Sequence, residues 1–118
     1  MTNGTFSSLN EMIRAALSWG EIRGLHMTMD LRPQLVKLTE ELGEIAAGVA
    51  RNDHERILDG VGDLLAVLIQ FGAVHSKSVG AIAPETYLEE CLGFALQEIL
   101  HRKGQTRDGV FVRDEEEQ

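Results

Sequence analysis

Lys37-Leu38-Thr39-Glu40-Glu41-Leu42-Gly43-Glu44, followed about fifteen residues later by Asp59-Gly60-Val61-Gly62-Asp63, is the pair of stretches that decides the fold. Leu35, Leu38, Leu42, Ile45 and Val49 recur at spacings of three and four, which predicts one buried helix face. Ile57, Val61, Leu64, Leu65 and Leu68 give the next segment a stripe of the same kind. Glu40, Glu41 and Glu44 are themselves three and four apart, so carboxylates form a second stripe beside the first. Asp59 and Asp63 repeat that arrangement. Two antiparallel helices would then present acidic groups to one another alongside a packed seam. Like charges held together are costly unless a cation lies between them. Mg2+ and Mn2+ suit the role, because hard divalent ions take oxygen ligands and share them with phosphates. The plain alternative is a solvated acidic surface. Gly60 and Gly62 weigh against it, since glycine is disfavoured inside a helix and its presence predicts a close approach to the backbone.

The 118-residue chain is expected to be one domain over 1–113 with an acidic disordered tail over 114–118. Only 5% of residues are aromatic against 43% hydrophobic, so the core must be aliphatic, which favours packed helices. The net charge of −8 argues against general binding of nucleic-acid polymers or membrane surfaces. No apolar run is expected to approach the roughly 20 residues that cross a bilayer. Met1-Thr2-Asn3-Gly4 lacks a basic start and an apolar stretch, so a cytoplasmic setting is expected. Cys91 falls in a helical pattern and is expected in the core; alone, it excludes a disulfide framework.

The remaining elements follow from caps and periodicity. Residues up to Phe6 are expected to fray, and Ser8-Leu9-Asn10-Glu11 is a capping box that opens a helix striped by Leu9, Ile13, Ala16, Leu17 and Gly20. Trp19 is either a large anchor at the end of that helix or a wall of a base pocket. His26 has no partner at ligand spacing and reads as loop surface. Asp30 and Pro33 suit the start of a second helix over 34–50. Asn52 with Glu55 would cap a third over 53–74. Its second half, with Val67, Leu68, Ile69 and Phe71, is apolar on most sides and predicts burial against another subunit. Residues 76–83 read as a linker, and Pro84 opens a fourth helix with Leu88, Leu92, Ala95, Leu96 and Ile99 on one stripe. Glu89, Glu90 and Glu98 face solvent. His101, Arg102, Lys103 and Arg107 then cluster near a helix end, where they either complement the dipole or contact phosphate, with Gly104 letting the chain turn. Residues 109–113 alternate enough to be extended.

These residues resemble a family. The chain is similar to short, phage-type members of the MazG-like all-α nucleoside triphosphate pyrophosphohydrolases, whose signature is EExxE followed after a turn by ExxD. Glu40-Glu41-Leu42-Gly43-Glu44 fits the first half and Asp63 the last position of the second. The resemblance also takes in Trp19 to Leu25, and Leu88 through Arg102-Lys103-Gly104 to Gly109-Val110-Phe111-Val112. One departure stands out: Gly60 occupies the place of the second motif's Glu, so Asp59, Glu40 or a water would have to fill it.

The resemblance implies a four-helix bundle that is dimeric or tetrameric, with a short extended C-terminal segment. It implies hydrolysis of a nucleoside or deoxynucleoside triphosphate to the monophosphate and pyrophosphate, dependent on Mg2+ or Mn2+. Glu41, Glu44 and Asp63 would hold the ions, with Glu40 and Asp59 as further oxygen donors. Glu40 or Glu41 would orient the attacking water or take its proton. Lys37, Arg102 and Lys103 would hold the outer phosphates. Phage members of the family include dGTP enzymes, so dGTP or GTP is the first substrate to expect, in the host cytoplasm if the chain is phage-encoded. The rival reading is a nucleotide-binding or helical scaffold protein whose chemistry was lost with the Glu replaced by Gly60.

Overall fold

A computed structural model describes residues 4–114 and is all-helical but for one short hairpin. Residues 1–3 and 115–118, with part of the expected frayed start and most of the acidic tail, lie outside the described residues. By contacts the chain divides into two compact units, Met1–Leu88 and Glu89–Gln118.

The first unit is built on three helices, α1 (Leu9–Ile22), α2 (Arg32–Ala50) and α3 (His54–Val79), and a 3-10 turn at Pro84–Thr86. Ser8 caps α1 as expected, its side chain accepting from the Glu11 amide. The returning half of the capping box differs: the Glu11 carboxylate accepts from the Ser7 hydroxyl and amide, which hold it below the usual carboxylate range. Helix α2 begins at Arg32, with Pro33 in its first turn and Asp30 accepting from the Arg32 amide at 3.0 Å. The cap of α3 is Asp53, accepting from the Arg56 amide at 3.2 Å, and not the expected Asn52. Asn52 instead turns the chain with φ of 52°, a left-handed conformation that asparagine tolerates.

The length of α3 corrects the expectation from sequence. Ser76 to Val79, expected as linker, are helical, and the helix stops only at Gly80, whose φ of 75° supplies the left-handed cap. Helix α3 also carries an 18-residue stretch of mean hydropathy 1.8, long and apolar enough by composition alone to cross a membrane. That corrects the expectation that no stretch comes near such length. Only 28% of it is buried within the chain.

The buried part of α3 is its second half, for which the sequence predicts burial against another subunit. Ile69 and Ala73 pack with Ile13 and Leu17 of α1, and Ala16 and Leu88 close around them. Val74 is 1% exposed. The Tyr87 ring lies directly on Gly72, where no β-carbon would fit, and its hydroxyl meets His75 Nδ1 at 2.6 Å. Gln70 is the polar member of this core. Its Nε2 donates to the Ala16 carbonyl at 2.8 Å and its Oε1 lies 2.6 Å from His26 Nε2. His26 is therefore no loop-surface residue: it ties the α1–α2 connection to the middle of α3. A buried amide must be paired on both ends, and Gln70 is.

Helices α2 and α3 run antiparallel and meet through two glycines. A β-carbon on Gly48 would come within 2.9 Å of Ile57 Cγ1, and one on Gly60 within 2.8 Å of Ile45 Cγ1. Each isoleucine thus sits over a glycine of the other helix. Gln34, Leu38, Glu41, Ile45 and Gly48 face α3, and Ile57, Gly60, Leu64 and Leu68 face α2. The seam is rotated from the expected stripe, so Leu35, Leu42 and Val49 are not buried. Both helices are right-handed and run in opposite directions, so the residue after each seam position turns to the same side on both. That side carries Leu35, Leu42, Val49, Leu58, Val61 and Leu65, all 42–62% exposed. The residues before the seam positions lie on the opposite side and are charged: Lys37, Glu40 and Glu44 with Arg56, Asp59 and Asp63.

Helix α4 (Tyr87–Ile99) begins at the end of the first unit and runs into the second, where strands β1 (Gly104–Arg107) and β2 (Val110–Arg113) pair antiparallel with Gln105 opposite Val112. Asp108 and Gly109, with φ of 50° and 78°, form the two-residue turn whose twist suits a hairpin. Leu92, Leu96 and Ile99 of the expected stripe are exposed, and so is Cys91, expected in the core.

The glycine contacts make opposed stability predictions. Gly60→Ala should lower stability by about 1–3 kcal/mol through overpacking against Ile45, despite the better helix propensity of alanine. Gly62, with no atom within 4 Å of the place a β-carbon would take, should instead gain about 0.5–1 kcal/mol when replaced by alanine. Urea unfolding of both variants checks this; equal effects of one sign contradict the seam.

Candidate functional site

The charged face of the α2–α3 pair gathers most of the acidic residues singled out in the sequence. The Lys37 ammonium is the centre of one group. It lies 2.9 Å from Glu40 Oε2, and that hydrogen bond and its charge hold Lys37 above the usual lysine range, with Glu41 and Asp63 adding to the effect. Glu40 is exposed, whereas Glu41 is half-buried at the seam. Asp63 adds its charge from α3.

Glu44 belongs to a second group. Its Oε2 accepts from Arg56 Nε at 3.0 Å and from Nη2 at 2.8 Å. Arg56 was not singled out in the sequence. The signal available was an arginine just past the turn that brings α3 back along α2, within reach of a glutamate just before it. Asp59 and Asp63, one turn apart on α3, line a shallow depression of about 430 Å3 with Glu55, Leu58 and Gly62.

The donors are of the right kind for a hard cation, since all are carboxylate oxygens, and Lys37 already pairs with one of them. As the side chains stand, no group of three or more His, Cys, Asp or Glu among the described residues is gathered tightly enough to hold an ion. Glu40 pairs with Lys37 and Glu44 with Arg56. Gly60 lies at the seam between α2 and α3. A β-carbon there would meet the Ile45 side chain first. Asp59 is the α3 carboxylate that shares the charged side with Asp63.

Trp19 is half-exposed at the end of α1, with the Arg23 guanidinium 4.4 Å over its ring and Arg23 also donating to the Trp19 carbonyl at 3.2 Å. One face of the indole is thereby covered by a cation.

The second unit holds the remaining candidates. Arg102 and Lys103 line a depression of about 480 Å3 with Gln97, Glu98, His101, Arg113 and Asp114. Arg102 pairs with Glu98 at 3.5 Å, and the Asp114 amide donates to the Lys103 carbonyl at 2.9 Å, closing the base of the hairpin. The Gly104 β-position is filled by the Val112 carbonyl, so this glycine serves close strand pairing.

No family profile and no solved structure matches the chain. An uncharacterised 18.2 kDa protein from the rep–hol intergenic region of Haemophilus phage HP1 (strain HP1c1) is 35% identical over 63 residues, 53% of this chain. The match covers 39% of that phage protein's length.

Proposed function

We propose that this chain is a MazG-like nucleoside triphosphate pyrophosphohydrolase, cleaving a triphosphate to the monophosphate and pyrophosphate, with dGTP or GTP as the first substrates to test. The observation that carries the reading is that the EExxE-type motif and Asp63, on different helices of an antiparallel pair, put Glu40, Glu44 and Asp63 on one charged side with Glu41 at its edge, where Lys37 pairs with Glu40 at 2.9 Å. Likeness to a phage protein is in keeping with a phage-type member at work in a host cytoplasm.

On this reading Glu41, Glu44 and Asp63 hold Mg2+ or Mn2+, with Glu40 or Asp59 adding an oxygen. Such an ion, when bound, neutralises phosphate charge and makes a water a better nucleophile. Glu40 or Glu41 orients that water toward the α-phosphorus and takes its proton, while the α–β anhydride bond breaks and pyrophosphate leaves. Lys37 supplies positive charge for the outer phosphates. Trp19 offers its uncovered face to a base.

The apolar face opposite the carboxylates supports an oligomer. Six aliphatic side chains, each about half exposed on a flat two-helix layer, are more than a small soluble surface normally leaves open. A second copy of the layer would bury them as a four-helix bundle, the commonest symmetry for such pairing being two-fold. Leu42→Glu or Val61→Glu should then shift light-scattering mass from dimer or tetramer to monomer. A wild-type chain that is monomeric at tens of micromolar contradicts the assembly.

The function is tested by incubating the protein with all eight canonical nucleoside triphosphates and Mg2+ or Mn2+, then separating products. Pyrophosphate and a monophosphate are expected from at least one, with losses of about a hundredfold or more in Glu44→Gln and Asp63→Asn, as expected when a metal-held nucleophile is lost. Nucleotide binding without turnover for every triphosphate would favour the rival reading of a non-catalytic binding protein, and neither binding nor turnover would end both.

A further inference from the structure

We propose that α4 is an assembly surface for a second copy of itself: it packs antiparallel against α4 of another chain and so joins two dimers into a tetramer. The inference rests on the α2–α3 pairing above, which supplies those dimers, and is independent of the nucleotide chemistry.

The second unit has no core of its own. Helix α4 has 13 residues, each strand of the hairpin has 4, and every described residue from 89 to 114 is exposed. A helix of that length and an isolated two-stranded hairpin are each marginal in water. Yet α4 is patterned for burial. Leu88, Leu92, Ala95 and Ile99 follow one another at spacings of four, three and four, with Leu96 beside them. Leu92, Leu96 and Ile99 are 59%, 36% and 44% exposed.

Charge says what covers this stripe. Glu89 and Glu90 stand in the first turn of α4, and Arg102 and Lys103 follow its end. From His101 to Arg113 the cations Arg102, Lys103, Arg107 and Arg113 stand against Asp108 alone. Glu98, near the basic end, is already paired with Arg102 at 3.5 Å. The helix is thus acidic where it starts and basic where it stops. Those two acidic and two basic residues are centred on Leu96, and the stripe from Leu92 to Ile99 is centred on Ala95 and Leu96. A second α4 turned end for end about that point lays aliphatic on aliphatic and sets each acidic end beside a basic one. A parallel pair would set like charges together, and the antiparallel pair also opposes the two helix dipoles favourably. Such a contact is self-complementary, as a two-fold interface must be. It is also small, well under the roughly 800 Å2 per partner of a standard interface. It holds because two dimers make it twice at once.

The readout is light-scattering mass of the full chain at low salt. Wild type should be a tetramer. Glu89→Lys/Glu90→Lys and Arg102→Glu/Lys103→Glu each set like charges together at both ends of the contact and should halve the mass. Mixed in equal amounts, these two variants regain opposite charges across the contact, and the tetramer should return; a variant that merely misfolds does not recover in this way. Leu96→Glu should also halve the mass, with no recovery on mixing with either. Charge variants that keep the wild-type mass, or a mixture that stays dimeric, overturn the pairing and leave α4 to be covered by the chain's own first unit. A dimeric wild type overturns it alone, with the α2–α3 pairing intact. A monomeric wild type ends both.

Discussion

Two isoleucine side chains lying over two glycines, Ile57 on Gly48 and Ile45 on Gly60, fix how α2 and α3 meet. The close approach sets the rotation of both helices at once. With the seam on Leu38, Ile45, Gly60 and Leu64, the antiparallel geometry sorts the flanking residues without further choice. Carboxylates and their cations go to one side, and leucines and valines to the other. A rotation of either helix by a third of a turn would mix the two faces and bury charge without partners, at a penalty far above the worth of one ion pair.

The consequences divide by face. On the charged side, the opposed helices bring Asp63 into the field of Lys37, which also holds Glu40 and feels Glu41. Charges from both helices therefore act on one lysine. On the apolar side, nothing in the chain's first unit covers Leu35, Leu42, Val49, Leu58, Val61 and Leu65 among the described residues. The core that does form is at the other end of α3, where α1, Tyr87 and the Gln70–His26 link enclose Ile69, Ala73 and Val74. Helix α3 thus serves two packings in sequence, one closed and one open.

Much of this was legible. Helix number, the Ser8 cap, the turn near residue 52 and the sharing of acidic residues between two helices follow from period and cap signals alone. The rotation of the seam was not legible, because α2 is apolar at 35, 38, 42, 45 and 49 while its contact face also uses Glu41 and Gly48. Periodicity weighs hydrophobicity and is blind to a glycine that permits close packing. For the same reason the packing of Ile45 on Gly60 was not foreseen. Gln70 and His26 were missed because each looks unexceptional alone; a lone amide in an apolar run was the sign that a partner had to exist. The hairpin was half seen: the Asp108-Gly109 pair is a strong turn signal, but β1 before it lacks alternation. Arg56 stayed hidden because its role depends on a contact made twelve residues away.

The most direct check on this arrangement is a nuclear Overhauser experiment on protein labelled at isoleucine methyls. The account predicts cross-peaks from Ile45 methyls to the Gly60 α-protons and from Ile57 methyls to those of Gly48. Cross-peaks from Ile45 to Val61 or Asp63 in their place, with none to Gly60, would contradict it and separate the carboxylates that the proposed chemistry requires together.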